Sequence, residues 1–409
     1  MNSPASIHAS TKPKRGRDIH EVHRVSTPLE LLFDLVFVVA IALTAAQLHH
    51  GVMEHHAGQA LLQFGAAFVA IWWAWMNYTW FASAYDNDDA VFRLLTMLQM
   101  VGVLVFATGI PFIFKNQWAP AVVGFAIMRL ALVIQWLRAA QGDPPCRATC
   151  VRYAVGIAIA QLGWIARLAL PTEMLWPSFV VLMLVELAVP IWAERASAGT
   201  PWHAHHIAER YSLMTIIVLG ECVLGATNAV ASVLQSTSWS WELVLIGLGG
   251  TGLVFSLWWV YFLLPSADAL HHHRERAFGW GYGHFFVFAA LAAVGSGLEV
   301  VADVLKNTQH AAHVDAHSVS PVQAIGMVAL AQGIFMVTVW ALWIYATRAQ
   351  ARQWVLLLVC LACIGAVVAA VGLGLAMAWA LPLLTVGPLV AIVYNEHGRR
   401  HREARFAVR

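Results

Sequence analysis

Charge is what this sequence has least of. Only 11% of its 409 residues are Asp, Glu, Lys or Arg, 60% are hydrophobic, and the mean hydropathy is +0.68. A water-soluble domain of this length could not cover its surface with so few charges, which excludes a soluble fold. Cysteine is scarce as well, with five in the chain. Cys360 and Cys363 form a CxxC inside an apolar run with no His or Asp nearby and read as buried small residues, while Cys146 and Cys150 lie in a short basic stretch. Neither pair asks for an oxidising compartment or a metal. The apolar runs are continuous, without the alternating pattern of about ten residues that a transmembrane barrel needs. The first ~25 residues carry Lys12, Lys14, Arg15, Arg17 and Arg24 but no apolar stretch leading to a small-residue cleavage site, so no cleavable signal is expected. A net charge of +2 gives no footprint for nucleic acid, and no cofactor fingerprint is present.

What remains is a set of about twelve apolar runs, each near the length a helix needs to cross a hydrocarbon core of about 30 Å. They fall at 28–48, 60–84, 90–114, 119–140, 151–171, 174–193, 207–234, 241–264, 278–302, 322–347, 353–371 and 375–394. The last two are divided only by a glycine-rich turn near Gly372 and Gly374. Short cytoplasmic loops hold excess Lys and Arg. With the N-terminus inside, every even-numbered loop is inside, and these carry Arg138, Arg147 and Arg152, then Arg195, Arg274 and Arg276, Arg348 and Arg352, with Arg399, Arg400, Arg402 and Arg405 in the C-terminal tail. Lys115 and Lys306 are the main exceptions outside, and Asp86 to Asp89 make one inner loop acidic.

The halves resemble each other. Glu30 opens the first apolar run of one half and Glu209 that of the other; Trp72-Trp73-Ala-Trp75 recurs as Trp258-Trp259-Val-Tyr261; Gly102 and Gly109 recur as Gly295 and Gly297. Six spans per half keep both halves the same way up, so the expectation is an all-α polytopic membrane protein of two parallel six-helix repeats. In numbers, that is a basic tail at 1–26, a first repeat at 27–195, a linker at 196–206, a second repeat at 207–395 and a second basic tail at 396–409.

Three blocks carry a family likeness. Arg24-Val-Ser-Thr-Pro-Leu-Glu-Leu-Leu-Phe-Asp-Leu-Val-Phe-Val opens the chain; Trp75-Met-Asn-Tyr-Thr-Trp-Phe-Ala-Ser-Ala-Tyr-Asp-Asn-Asp-Asp89 is followed by Arg93-Leu-Leu-Thr-Met-Leu-Gln99; and His206-Ile-Ala-Glu-Arg-Tyr-Ser-Leu-Met-Thr-Ile-Ile-Val-Leu-Gly-Glu221 forms the third. Together they resemble the bacterial low temperature requirement protein A family over most of residues 20–300, with Cys222 where a serine is expected after the Gly-Glu pair. The resemblance implies a bacterial inner-membrane protein named for growth in the cold and supplies neither a substrate nor a reaction.

Function therefore has to be argued from charges inside spans, which are costly and tend to face a bundle interior. Glu30 and Asp34 are four residues apart on one helix face. Glu30 has a plainer reading as a carboxylate at a helix N-terminus. In the seventh span Arg210 and Glu221 are eleven residues apart, close to a whole number of turns. If the two repeat-opening helices meet, Glu30, Asp34, Glu209, Arg210 and Glu221 form a proton pathway, with His284 as a relay; otherwise they are an ion-pair network that fixes helix register. Asp86, Asp88, Asp89 and Arg93 form either a gate or a solvated loop with a helix cap at Asp88 or Asp89. Glu186 and Glu299 are candidates to line a cavity, with Arg129 and Arg167 as candidate partners for the acidic residues in the spans. The histidines at His49, His50, His55 and His56, at His203, His205 and His206, at His271 to His273, and at His310, His313 and His317 read as solvated loop residues. Trp72, Trp73, Trp75, Trp258 and Trp259 read as interfacial belt residues.

The leading expectation is a proton-coupled secondary transporter or permease of a small solute in the inner membrane, with both termini cytoplasmic. Two others stand beside it: a membrane-embedded enzyme acting on lipid, and a structural or sensory protein without turnover.

Overall fold

Within hydrocarbon a backbone N–H has no partner except its own chain, so apolar runs of this length must close their hydrogen bonds as helices. In the computed structural model, which describes residues 15–19, 21, 24–196, 199–236, 241–310, 319–347 and 352–407, they do. The helices are α1 Pro28–Met53, α2 Ala57–Tyr85, α3 Ala90–Ile113, α4 Ala119–Gly142, α5 Arg147–Ala166, α6 Leu175–Glu194, α7 Ala204–Ser236, α8 Trp241–Phe262, α9 Ser266–His272, α10 Ala277–His310, α11 Pro321–Thr347, α12 Arg352–Gly372, α13 Met377–Leu384 and α14 Val386–Ala407. Among the described residues twelve helical segments are long and apolar enough to cross a membrane. The chain is an all-α polytopic membrane protein. Lys12, Lys14, His313, His317 and Arg348 lie outside the described residues.

Local chemistry sets the ends. Thr27 and Glu30 close a capping box at the start of α1: the Thr27 N–H and Oγ1 donate to Glu30 Oε2 at 2.8 and 3.0 Å, and the Glu30 N–H donates to Thr27 Oγ1 at 3.3 Å. Asp89 caps α3 by accepting from the Phe92 N–H at 2.6 Å. Gly374, at φ +105, takes the left-handed turn after α12 that a side chain would resist. The twelfth span is broken rather than continuous. Pro382 in α13 has no N–H to donate, Thr385 turns the chain, and α14 resumes at Val386.

The chain groups into two compact units, one of residues 1–40 and 70–207 and the other of residues 41–69 and 208–409. In the first, α3 packs on α4, α4 on α5 and α5 on α6. The α3–α4 pair is held at backbone contact by glycine, because a Cβ at Gly124 would collide with the Phe106 nitrogen. Small residues of this kind let membrane helices gain dispersion contacts that Leu on Leu cannot. Gly124→Ala is expected to lower the thermal unfolding midpoint in detergent by an overpacking cost of about 1–3 kcal/mol. Gly58→Ala, where a Cβ meets nothing within 4 Å, should leave the midpoint unmoved.

In the second unit α10 packs on α11, α11 on α12, α12 on α14 and α8 on α13. A second backbone approach joins α7 to α10, where a Cβ at Gly225 would stand 2.7 Å from the Gly295 carbonyl oxygen.

Candidate functional site

The first unit holds two buried carboxylate centres. The outer one begins with the capping box. With Oε2 bonded to Thr27, Glu30 turns Oε1 to the Arg24 guanidinium, Nη2 at 3.7 Å, and to the His206 imidazole, Nε2 at 3.2 Å, all three side chains being almost wholly buried. Arg24 also stands 3.9 Å from Asp86 Oδ2 and donates to the Ala82 carbonyl at 3.3 Å. Glu30 Oε2, besides closing the capping box, lies 3.4 Å from His206 Nε2, so the helix-terminus carboxylate and the buried cluster are one group.

The segment before α1 builds this centre. Arg17 donates its backbone N–H to Ala84 O at 3.0 Å and its Nη1 to Asp86 O at 3.1 Å, while forming an ion pair with Glu21 at 2.8 Å. His203 donates its N–H to Ser83 Oγ at 3.0 Å and sets its Nε2 2.9 Å from Glu21 O. Burial pulls the Arg24 guanidinium below its ordinary range, with Glu30 opposing. Burial, reinforced by the Glu30 charge, lifts Asp86 to about 6.

The inner centre is Glu186, 1% exposed on α6. Its Oε2 accepts from Trp73 Nε1 at 2.8 Å and Arg129 Nη2 at 2.9 Å, and its Oε1 from Trp164 Nε1 at 3.2 Å. Arg129 stacks over the Phe125 ring at 4.6 Å. Asp34, fully buried one turn beyond Glu30, accepts from Trp75 Nε1 at 2.7 Å.

These contacts correct two expectations. Trp73 and Trp75 are not belt residues: both are 1% exposed and donate to carboxylates, and Trp72 is buried beside them. Trp258 and Trp259 are exposed, as belt residues are. Nor are the histidines at the start of α7 all solvated, because His203 and His206 are buried and bonded while His205 is exposed. His49 likewise departs from the solvated reading, with Nε2 2.9 Å from Asp303 Oδ2 in the second unit. Of the residues in the centres, sequence reasoning missed Arg24, which it placed in the basic tail, and the indole donors. The available signal was that a carboxylate at membrane depth needs N–H donors, and indoles are the donors an apolar helix can carry.

The acidic loop divides its work. Asp88, at φ +53, makes a two-pronged exposed pair with Arg93 at 2.7 and 2.6 Å, and its N–H donates to Asp86 Oδ1 at 2.8 Å. Asp89 receives Arg138 Nη2 at 2.6 Å besides capping α3. Burial would raise the Asp89 carboxyl, but the hydrogen bonds from Arg138, Phe92 and Asn87 outweigh it and hold the group below the ordinary carboxylate range.

Glu209, Arg210, Glu221 and His284 belong to the second unit. Arg210 and His284 are fully buried, and Glu209 and Glu221 are half-buried. His284 Nδ1 lies 2.8 Å from Trp280 O and its Nε2 3.1 Å from Tyr261 OH. Glu299 accepts from Asn228 at 3.1 Å.

No solved structure matches the chain. An uncharacterized protein of Rhizobium meliloti (strain 1021), RA0937, is 28% identical over 256 residues, 61% of this chain and 59% of that protein. The chain thus spans about three fifths of the length of the curated relative it matches. The family model for the bacterial low temperature requirement A protein matches residues 25–390, which include the Arg24-adjacent opening, the tryptophan block and the α7 block that build these centres; the chain belongs to that family.

Proposed function

We propose that the protein is a proton-coupled secondary transporter or permease of a small solute, working in the bacterial inner membrane with both termini cytoplasmic. The observation that carries the reading is the pair of titratable hubs on α1. Glu30 is shared between Arg24 and His206, and Asp34 accepts from the Trp75 indole at 2.7 Å. A carboxylate with an exchangeable cationic neighbour can take up a proton when that neighbour moves, which is the elementary act of coupling. The likeness of the two halves in sequence supports the same reading, since transporters built of parallel repeats bind solute between their halves. Glycines of that likeness sit at helix contacts in each half: a Cβ at Gly109 would stand 2.5 Å from the Ala121 nitrogen of α4, and one at Gly297 2.9 Å from Val328 Cγ2 of α11. Arginines placed in the even-numbered loops support the orientation.

The test is flux in proteoliposomes under an imposed pH gradient, with solutes first chosen by the thermal stabilisation they confer on the purified protein. Glu30→Gln, Asp34→Asn and Glu221→Gln are each expected to cut solute-dependent proton uptake by about tenfold or more, the cost of about 1.4 kcal/mol in a coupling step. Flux unchanged in all three overturns the reading.

A further inference from the structure

The second unit contains a recess of about 550 Å³ that the transport reading does not use. Its wall comes from the end of α1, the start of α2, the first half of α10 and the first half of α11. Among nineteen wall residues only His55 and Gln323 carry polar side chains. Both lie at one end: His55 is in the α1–α2 turn and Gln323 in the first turn of α11. From there the wall descends along α11 to Ile334, eleven residues and about 16 Å. That is about half of a ~30 Å hydrocarbon core, the depth of one leaflet.

Small residues make the space. A Cβ built at Gly65 or Gly326 meets nothing within 4 Å, so both glycines face open volume, and Ala289 and Ala293 recess the α10 wall one turn apart. At the rim Leu61, Phe286 and Leu330 are exposed, which opens the recess sideways to lipid.

An apolar space of this size, away from its mouth, offers water none of the two to four polar partners that hold it. Left empty, the wall would forfeit its dispersion contacts. A transmembrane helix from another chain would cross the whole core, whereas the recess stops midway.

We propose that this recess binds one acyl chain of a membrane phospholipid, tail between α10 and α11 and head at the α1–α2 turn beside His55 and Gln323. Polarity confined to the mouth, apolar wall below it, one-leaflet depth and a lateral opening are the features of a site for a single-chain insertion. Each methylene placed there trades mobile lipid contact for fixed wall contact, so the site also joins the ends of α1 and α2 to α10 and α11 within this unit.

The test uses the full chain in nanodiscs doped with a phospholipid bearing a diazirine at its chain end, with label positions mapped by mass spectrometry after illumination. Residues 285–293 and 326–334 are expected to be labelled at least about tenfold over Leu248 and Phe255, exposed positions on α8 that sample bulk lipid. Gly326→Phe and Gly65→Phe, which fill the recess from opposite walls, should each erase that excess while leaving the labelling of α8 unchanged. Because the wild-type map and either variant suffice, failure of one variant to fold leaves the proposal exposed to the other. Labelling of the recess at the α8 level overturns it. So does an excess that survives both fillings, an excess given only by a diazirine fatty acid, or cross-links that join the recess to a second copy.

Discussion

Arg129→Met is expected to destabilise the protein by about 3–5 kcal/mol, the usual cost of removing one partner from a buried ion pair. The substitution leaves Glu186, 1% exposed on a membrane helix, with two indole donors and no cation. The neutral replacement Glu186→Leu should fail similarly, stranding the guanidinium over Phe125. The double substitution Arg129→Met with Glu186→Leu is expected to recover most of the loss. Desolvating two charges is costly, and in the native pair Arg129 Nε and Nη1 lack hydrogen-bond acceptors among the described residues, so the pair never recoups that cost in full. The Trp73 and Trp164 N–H groups, left without their acceptor, should keep the double variant about 1–3 kcal/mol short of wild type. Thermal midpoints in one detergent, compared as a double-mutant cycle, give the coupling directly. Additive losses would show that Arg129 and Glu186 do not act as a pair.

The ion pair also shows what a sequence can and cannot disclose in a membrane. Helix number was legible because lipid leaves the backbone a single way to satisfy itself, so hydropathy and helix are nearly the same statement. The break at Thr385, three residues after Pro382, was not, because a proline inside an apolar run can be absorbed by neighbouring helices, and nothing local says whether it will be. Glu30, Asp34 and Glu186 were visible as charges in apolar runs. Their partners were visible only where they were charged and inside a span, as Arg129 was. Arg24 sits before Pro28 in a segment with no periodicity, and only tertiary contact with Ala82 and Asp86 removes it from water. Trp73 and Trp75 are two residues apart, about 200° around α2, so they serve different carboxylates, Glu186 on α6 and Asp34 on α1. A periodicity argument sees an apolar helix there; only the donor requirement of the carboxylates distinguishes a belt from a hydrogen-bonded core. His206 and Arg210 fall four residues apart on one stripe of α7, His203 stands just before its first turn, and all three are buried. That stripe was available from the sequence and argues against a solvated loop.

The second large effect is on pH dependence, and it is carried by Asp86. Its carboxyl titrates near 6 in the folded protein because burial and the Glu30 charge oppose ionisation more than Arg24 and the Asp88 N–H favour it. The ordinary value, the one it regains on unfolding, is 3.8. The folded state therefore holds the proton more tightly than the unfolded one. Its contribution to stability is fully present below about 3.8, declines as pH rises and is lost once pH passes about 6, a change of about 3 kcal/mol. This slope is opposite in sign to that of a carboxylate held by ion pairs, such as Asp89, whose contribution is lost as pH falls. Asp86→Asn, which cannot ionise, should abolish the Asp86 component and be more stable than wild type at pH 7, with the difference shrinking to near zero by pH 4. Arg24→Met removes the cation that partly offsets the Asp86 charge, so it should steepen the decline and push its midpoint upward. Thermal midpoints of wild type and both variants between pH 4 and pH 8, taken as differences so that other groups cancel, measure the window. An Asp86→Asn difference that is flat across it would mean that Asp86 titrates alike folded and unfolded. Burial beside Glu30 would then not govern its proton.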